Sequence, residues 1–298
     1  MYKRFSDDGF DALTSLTQAA ALRDTALQTI ELFGLNLVDA AFTAAADHIV
    51  ARAAAKHPTV VNFLILNAHC VNVAARNRAY RQRLAESDLL LPDGSGMRIA
   101  AHMAGKQFGD NLNGTDLFPA LCERAAKQGL AIYLLGGSPG TAERAAAEMQ
   151  RRYPGLIVAG TQHGYFSEAE QDQVIARINR ARPALLFVGF GVPLQEEWIA
   201  SHRDALDVPV KLGVGGLFDY YAGNVVRAPQ LVRKVGCEWA WRLAQEPRRL
   251  AKRYLWGNFA FLAYAFAVAV AERGARTNVY TGIKRVLDFS IELAAGLP

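Results

Sequence analysis

The run Pro92-Asp93-Gly94-Ser95-Gly96 sets a carboxylate between a proline and two glycines at the end of an apolar segment. A ligand can reach an acid placed there, and the acid can take a proton from an attacking hydroxyl as a general base. The same residue can instead cap the following helix or close an Asx turn, and the residues alone weigh the two roles equally. Arginine is the second chemical feature. Arg227, Arg233, Arg242, Arg248, Arg249 and Arg253 crowd one stretch, and guanidinium groups suit bidentate contact with phosphate. Residues 227–298 hold 12 Lys+Arg against 5 Asp+Glu, while the remainder holds 21 against 23, so the formal net charge of +5 is entirely C-terminal. An anionic partner is expected there: a diphosphate, an acidic lipid headgroup or nucleic acid. No Asp-x-Asp pair occurs, so protein cations and helix ends, rather than a chelated divalent ion, are expected to neutralise a leaving diphosphate. Arg242, Arg249 and Arg253 would share a helical face only if the helix ran through Pro247, where a break is expected.

The elements that must hold these groups are short apolar runs alternating with alanine-rich stretches. Strands are expected at 60–66, 88–92, 131–137, 156–160, 184–191 and 210–216, and helices at 70–86, 138–152, 167–181 and 194–205. That order gives an α/β fold: a Rossmann-like, mostly parallel sheet with helices on both faces. Nearly every strand ends in Gly, Pro, Asn or Asp, including Asn67, Gly94, Gly136-Gly137, Gly189 and Gly215-Gly216. Ligands of open α/β sheets lie beyond those carboxyl ends, beside helix N-termini. Four segments are expected: a helical extension over 1–32, an α/β domain over 33–216, a basic helical appendage over 217–256, and an apolar helix and tail over 257–298. Residues 254–271 carry no charge and, as a helix, span roughly 27 Å. Arg248, Arg249, Lys252 and Arg253 before them, and Tyr254, Trp256 and Tyr264 within, suit an interfacial anchor, a buried helix or a span.

Composition and motifs narrow the chemistry. With 298 residues, 51% hydrophobic and 20% charged, the chain has the makings of a globular core. Three scattered cysteines and an acidic N-terminus suit a reducing compartment without a secretory leader. Dinucleotide and P-loop glycine fingerprints are missing, and the six histidines show no metal-ligand spacing. The turn after residue 189 has no nucleophilic serine. Neither a metal nor a cofactor is expected, and His69 reads as a turn or core histidine.

Taken in order, these segments resemble the WecG/TagA/CpsF glycosyltransferases (glycosyltransferase family 26). The carriers are Leu35-Asn36-Leu37-Val38-Asp39, Asn67-Ala68, the Pro92–Gly96 run, Asn113-Gly114-Thr115-Asp116-Leu117, Leu134-Leu135-Gly136-Gly137, Tyr153-Pro154-Gly155 and Gly164-Tyr165-Phe166. They continue through Val188-Gly189-Phe190-Gly191-Val192-Pro193-Leu194-Gln195-Glu196, Gly213–Asp219, Arg227-Ala228-Pro229, and Glu238-Trp239 on to Glu246-Pro247. The resemblance spans residues 33–256. It implies inverting, metal-independent transfer of a hexose-type sugar from a UDP-sugar to a polyprenyl-diphosphate-linked saccharide in cell-surface polysaccharide synthesis. The site would lie at the cytoplasmic face of the inner (plasma) membrane, with the protein peripheral or anchored by its apolar segment. It implies Asp93 as base with Asn67 in the same pocket. Gly94, Gly136, Gly137, Gly189, Gln195 and Gly216 would lie on the nucleotide-sugar side, and Arg227, Arg242 and Arg249 at the diphosphate.

The chain departs from the family pattern twice. Ile65 stands where a threonine is frequent, removing a hydroxyl. The tail Ile283–Phe289 has a faint likeness to the opening of the sugar-phosphate transferases that start lipid-linked glycans, with a plain amphipathic helix as the alternative. A competing expectation is an inactive nucleotide-sugar-binding or membrane-scaffold protein. Nucleic-acid binding is not expected, because the basic residues run into an apolar stretch. A homo-oligomer is compatible with the sequence.

Overall fold

A computed structural model of the chain describes residues 27–272 apart from Val235. Eight strands form one sheet in the order β1-β2-β4-β3-β8-β7-β5-β6. They are β1 (Gln28–Leu32), β2 (Leu35–Asp39), β3 (Val61–Leu66), β4 (Leu89–Pro92), β5 (Ala131–Gly136), β6 (Ile157–Gln162), β7 (Leu185–Gly189) and β8 (Val210–Gly213). All pairings are parallel except β1 with β2. The expected α/β fold, helices on both faces and the helical C-terminal segment are all present. The inner strands read as unbroken apolar runs because each face is covered: all six residues of β3 and all five of β7 are buried.

Alternation sorts the core into two layers. Phe63, Ile65, Leu134, Phe187 and Leu212 point to one face, where they meet the helices Phe42–Ala53, Gly114–Gln128 and Thr141–Arg152. Leu64, Leu66, Leu135, Leu186 and Val188 point to the other, against the helices Ala68–Arg76, Arg78–Ala85, Ser95–Met103, Glu168–Ala181 and Leu194–Ser201. The chain leaving β3 passes to this second face. The chain leaving its neighbour β8 passes to the first, where Leu217, Phe218 and Tyr221 join the core. Connections that diverge from adjacent parallel strands open a crevice at their carboxyl ends.

Two sequence expectations need correction. Residues 28–32, read as the end of a leading helix, are strand β1. Phe33 and Gly34 both take positive φ (61° and 68°), the geometry of a tight hairpin turn, and fold β1 back onto β2. Residues 1–26 of that expected extension lie outside the described residues, as does the 283–289 tail. The single helix expected over 70–86 is two, broken at Asn77, whose extended backbone ends one helix while its side chain accepts from Tyr80 N and starts the next.

Beyond the α/β layer, the short helices Gln230–Lys234, Glu238–Gln245 and Pro247–Ala251 precede a π-turn, Lys252–Trp256, and the helix Gly257–Glu272. The expected break falls at Glu246, with Pro247 starting a new helix. Residues 253–271 are long and apolar enough to cross a membrane by length and composition. Here the helix lies on the domain: Phe261 and Ala265 are in the second core layer, and Phe33 packs on Phe261 and Tyr264. The opposite side exposes Leu255, Trp256, Phe259 and Phe266.

Candidate active site

The register of β3 on β4 decides which groups meet. Leu66 pairs with Pro92, so the next residues, Asn67 and Asp93, leave neighbouring strands side by side. Asp93 N donates to Leu66 O at 2.9 Å, which continues the ladder by one step. Both residues line a cavity of about 660 Å³ that fills the crevice at the strand ends.

Asn67 is the N-cap of the helix Ala68–Arg76. Its Oδ1 accepts from His69 N at 3.0 Å and Cys70 N at 3.2 Å. That leaves the amide nitrogen to donate, and Asn67 hydrogen-bonds the Asp93 carboxylate. Asp93 itself caps nothing. The helix Ser95–Met103 starts from Gly94 without a side-chain cap, so the carboxylate is turned to the cavity rather than used up locally. Gly94 has φ +91° with open space where a Cβ would stand, so glycine is required by backbone conformation, not crowding. Its N–H is fixed by Asn111 Oδ1 at 2.8 Å.

Burial first, and then the negative charge of Glu238, push the Asp93 carboxyl up to about 6, against the Asn67 hydrogen bond, which lowers it. A base in that range is ionised at neutral pH yet retains appreciable proton affinity. His69, expected as a turn or core residue, also lines the cavity. Burial and the charges of Arg253 and Arg76 hold its imidazole down at about 4, so it is neutral at pH 7.

The cavity lining is also cationic and aromatic, with Arg233, Arg242, Arg253, Tyr220, Trp239, Tyr254 and Phe261. The Nε atoms of Arg242 and Arg253 are buried there and make no hydrogen bond among the described residues. The Arg242 guanidinium lies 5.1 Å from the Tyr220 ring and 3.7 Å from Glu246. Three guanidinium groups lining one cavity suit an acceptor-rich, negatively charged ligand.

Several expected ligand contacts are elsewhere. Arg227 is turned into an ion pair with Asp116 (2.7 Å) and Glu238 (3.3 Å) and is not on the cavity wall. Arg233 approaches the same Asp116 at 3.7 Å. Asp116 in turn accepts from Asn113 Nδ2 at 2.8 Å. Burial would raise the Asp116 carboxyl, but the hydrogen bonds from Arg227 and Asn113 outweigh it and hold it low. The Arg249 side chain lies outside the described residues. Gly136, Gly137 and Gly189 are likewise absent from the wall. A Cβ at Gly136 would stand 2.4 Å from Gly189 O, and one at Gly189 would stand 2.8 Å from Gly215 O. These glycines let the ends of β5, β7 and β8 close up, one layer behind the site.

Gln195 and Gly216 do line the cavity, and Gly94 joins them. Ile65 fills the place of the missing hydroxyl with its side chain against Gly114, where an added Cβ would meet Ile65 Cδ1 at 2.6 Å. Sequence reading did not place Tyr220, Glu238, Trp239 and Tyr254 at the site, although Glu238-Trp239 carried the family resemblance and Tyr254 was read as an interfacial aromatic. Asn113 carried a signal, since its Oδ1 caps the helix Gly114–Gln128 through Asp116 N at 2.9 Å. Among the described residues no three His, Cys, Asp or Glu side chains group as metal ligands.

A model of the "Glycosyl transferase WecG/TagA/CpsF family" matches residues 30–275. Two similar proteins are the N-acetylglucosaminyldiphosphoundecaprenol N-acetyl-beta-D-mannosaminyltransferases of Staphylococcus aureus strains MW2 and NCTC 8325 / PS 47. Each is 32% identical over 186 residues, covering 62% of this chain and 72% of the relative. With strand-end glycines, an uncapped Pro-Asp-Gly aspartate and an arginine wall meeting in one crevice, the chain belongs to the WecG/TagA/CpsF family of glycosyltransferases.

Proposed function

We propose that the protein transfers a hexose-type sugar from a UDP-sugar to a polyprenyl-diphosphate-linked saccharide, with inversion at the anomeric carbon and without a metal ion. Asp93 takes the proton of the acceptor hydroxyl while that oxygen bonds to the anomeric carbon. The bond from that carbon to the diphosphate breaks, its electron pair leaves with UDP, and the proton stays on Asp93. Arg242 and Arg253, with Arg233 beside them, balance the charge that builds on the leaving diphosphate. The Asn67 amide keeps the carboxylate aimed.

The observation that carries this reading is the meeting, in one cavity, of a non-capping carboxylate with a raised proton affinity and the guanidinium groups of Arg233, Arg242 and Arg253. The S. aureus relatives are named for transferring N-acetylmannosamine to N-acetylglucosaminyl-diphospho-undecaprenol, which supports an acceptor of that lipid-linked class and an N-acetylmannosaminyl donor, with a glucosyl donor as the alternative in the assay. The exposed Leu255, Trp256, Phe259 and Phe266 beside the cavity's cationic wall suit a peripheral seat on the cytoplasmic leaflet, where such an acceptor would be met.

The test is a radiolabel assay with a panel of UDP-sugars and polyprenyl-diphosphate-linked acceptors, with the product's anomeric configuration read by NMR. Labelled glycolipid of inverted configuration, formed in the presence of a chelator, is expected. Donor binding without product under any pairing would overturn the proposal in favour of a non-catalytic binding role.

A further inference from the structure

Gln195 has a buried side chain whose two ends are both engaged. Its Oε1 accepts from Gly215 N at 2.7 Å, and its Nε2 donates to Glu196 Oε1 at 2.9 Å. Gln195 is 2% exposed and Glu196 1%, so their mutual bond has no water as a ready substitute, while the bond to Gly215 lies at the cavity wall. The Gln195 amide also lies against the end of β8, where an added Cβ on Gly213 would stand 3.2 Å from Nε2. The segment it clamps, Gly213 to Leu217, is one wall of the active-site cavity. Gly216 in that wall faces the Arg242 guanidinium, whose Nη2 would stand 3.5 Å from an added Cβ.

We propose that Glu196 is a positioning residue of the active site: its carboxyl selects the orientation of the Gln195 amide, and through it fixes the Gly215 turn against Arg242. An amide presents an oxygen at one end and an NH₂ at the other, and its two orientations have nearly the same shape. Gly215 N–H needs an acceptor, which only the orientation seen here supplies. In the reversed orientation Gln195 Oε1 would confront Glu196 Oε1 while its NH₂ confronted the Gly215 N–H, so both contacts would repel. Glu196 therefore removes the alternative that an apolar neighbour would permit.

The rest of the Glu196 environment agrees. Burial pushes its carboxyl up to about 7, with the Gln195 hydrogen bond acting against that rise. The Tyr80 hydroxyl also bonds this carboxyl, and a proton, when present, can reside on Oε2, so that Oε1 stays an acceptor toward Gln195 in either state. Glu196 also borders a separate small cavity of about 110 Å³, on the side away from the substrate crevice and lined by Asn62, Ser87 and Arg203. It does not line the substrate cavity, so it acts through Gln195 and not by touching substrate.

The inference rests on the transferase reading for its kinetic half only. Glu196→Gln keeps an acceptor toward Gln195 and is expected to match wild type within about twofold in Gly215 amide exchange and in donor KM. Glu196→Leu removes the acceptor. It is expected to speed Gly215 amide exchange about tenfold or more, and to raise donor KM about tenfold with a smaller change in kcat. Circular dichroism establishes that the leucine variant is folded, and should it not fold, Glu196→Met takes its place. Unaltered Gly215 exchange in a folded apolar variant, or a glutamine variant as impaired as the leucine one, would overturn the inference. A wild-type protein that transfers no sugar would refute the transferase reading instead, while the exchange comparison still decides the role of Glu196.

Discussion

Asn67 holds Asp93 with the end of its amide that capping leaves over: Oδ1 takes the N–H groups of His69 and Cys70, and the amide nitrogen serves the carboxylate. One side chain thus ties the start of a helix to the proposed base, and its removal should disturb both. Asn67→Ala should lower stability by about 0.5–2 kcal/mol through the lost cap. It should also raise the Asp93 pKa, because the lost hydrogen bond favoured the charged form. A denaturant melt and the acid limb of the pH–rate profile measure the two effects. A limb that stays in place in the variant would break the link.

Asp93→Asn should reduce kcat by about 10²–10⁴-fold while leaving donor affinity nearly unchanged, as expected for loss of a general base. In the wild type, turnover should fall as pH drops below about 6, where Asp93 takes up its proton. Isothermal titration with UDP and a kcat profile from pH 4.5 to 8 check both parts.

The same substitution should stabilise the fold. The folded-state pKa of Asp93 lies above its ordinary 3.8, so the ionised carboxylate is disfavoured on folding. Relative to high pH, the neutral form's advantage is full below about 3.8 and is lost as pH rises through about 6. Asparagine is never charged, so its gain over aspartate should be greatest above pH 6, on the order of 2–3 kcal/mol, and vanish near pH 4. Melting temperatures of the two proteins at pH 4 and pH 8 report this directly. A variant less stable than wild type at pH 8 would contradict it.

Arg227 and Arg242 should separate stability from binding. Arg227 bridges Asp116 and Glu238 at 2.7 and 3.3 Å, so Arg227→Met should loosen the appendage at a cost of about 1–2 kcal/mol. Arg242 lines the cavity with its Nε in a longer 3.7 Å ion pair to Glu246, and Arg242→Met should weaken UDP binding about tenfold or more at a smaller cost in melting than Arg227→Met. Thermal melts paired with UDP titration compare the two variants.

Membrane contact should depend on the exposed apolar side of the C-terminal helix. Replacing Leu255 and Phe259, 58% and 64% exposed, by Glu should abolish cosedimentation with anionic liposomes. Both side chains point away from the core, so the melting temperature should move little. Wild-type cosedimentation should weaken with added salt, since the basic residues before Tyr254 contribute part of the attraction.

The α/β class was legible because a strand covered on both faces must be apolar throughout, as Val61–Leu66 and Leu185–Gly189 are. Asp93 and Asn67 were legible because strand ends in such a sheet carry their turn residues locally. Strand β1 was not, since Gln28–Leu32 is half polar and owes its state to pairing with β2 across the Phe33-Gly34 turn. Gly136 and Gly189 stand where strand ends close up, and a glycine demanded by a neighbouring backbone looks the same in one dimension as a glycine demanded by a ligand.

The order of apolar runs, the Pro-Asp-Gly turn and the C-terminal excess of positive charge belong to the sequence, because each is a property of near neighbours along the chain. Which arginines face the crevice belongs to the tertiary structure alone. Arg227 and Arg242 have the same side chain, yet one is drawn to Asp116, more than a hundred positions earlier, and the other lies over the Tyr220 ring and lines the cavity. A guanidinium is bound by whatever acceptor the folded chain brings within reach, and only packing sets that distance.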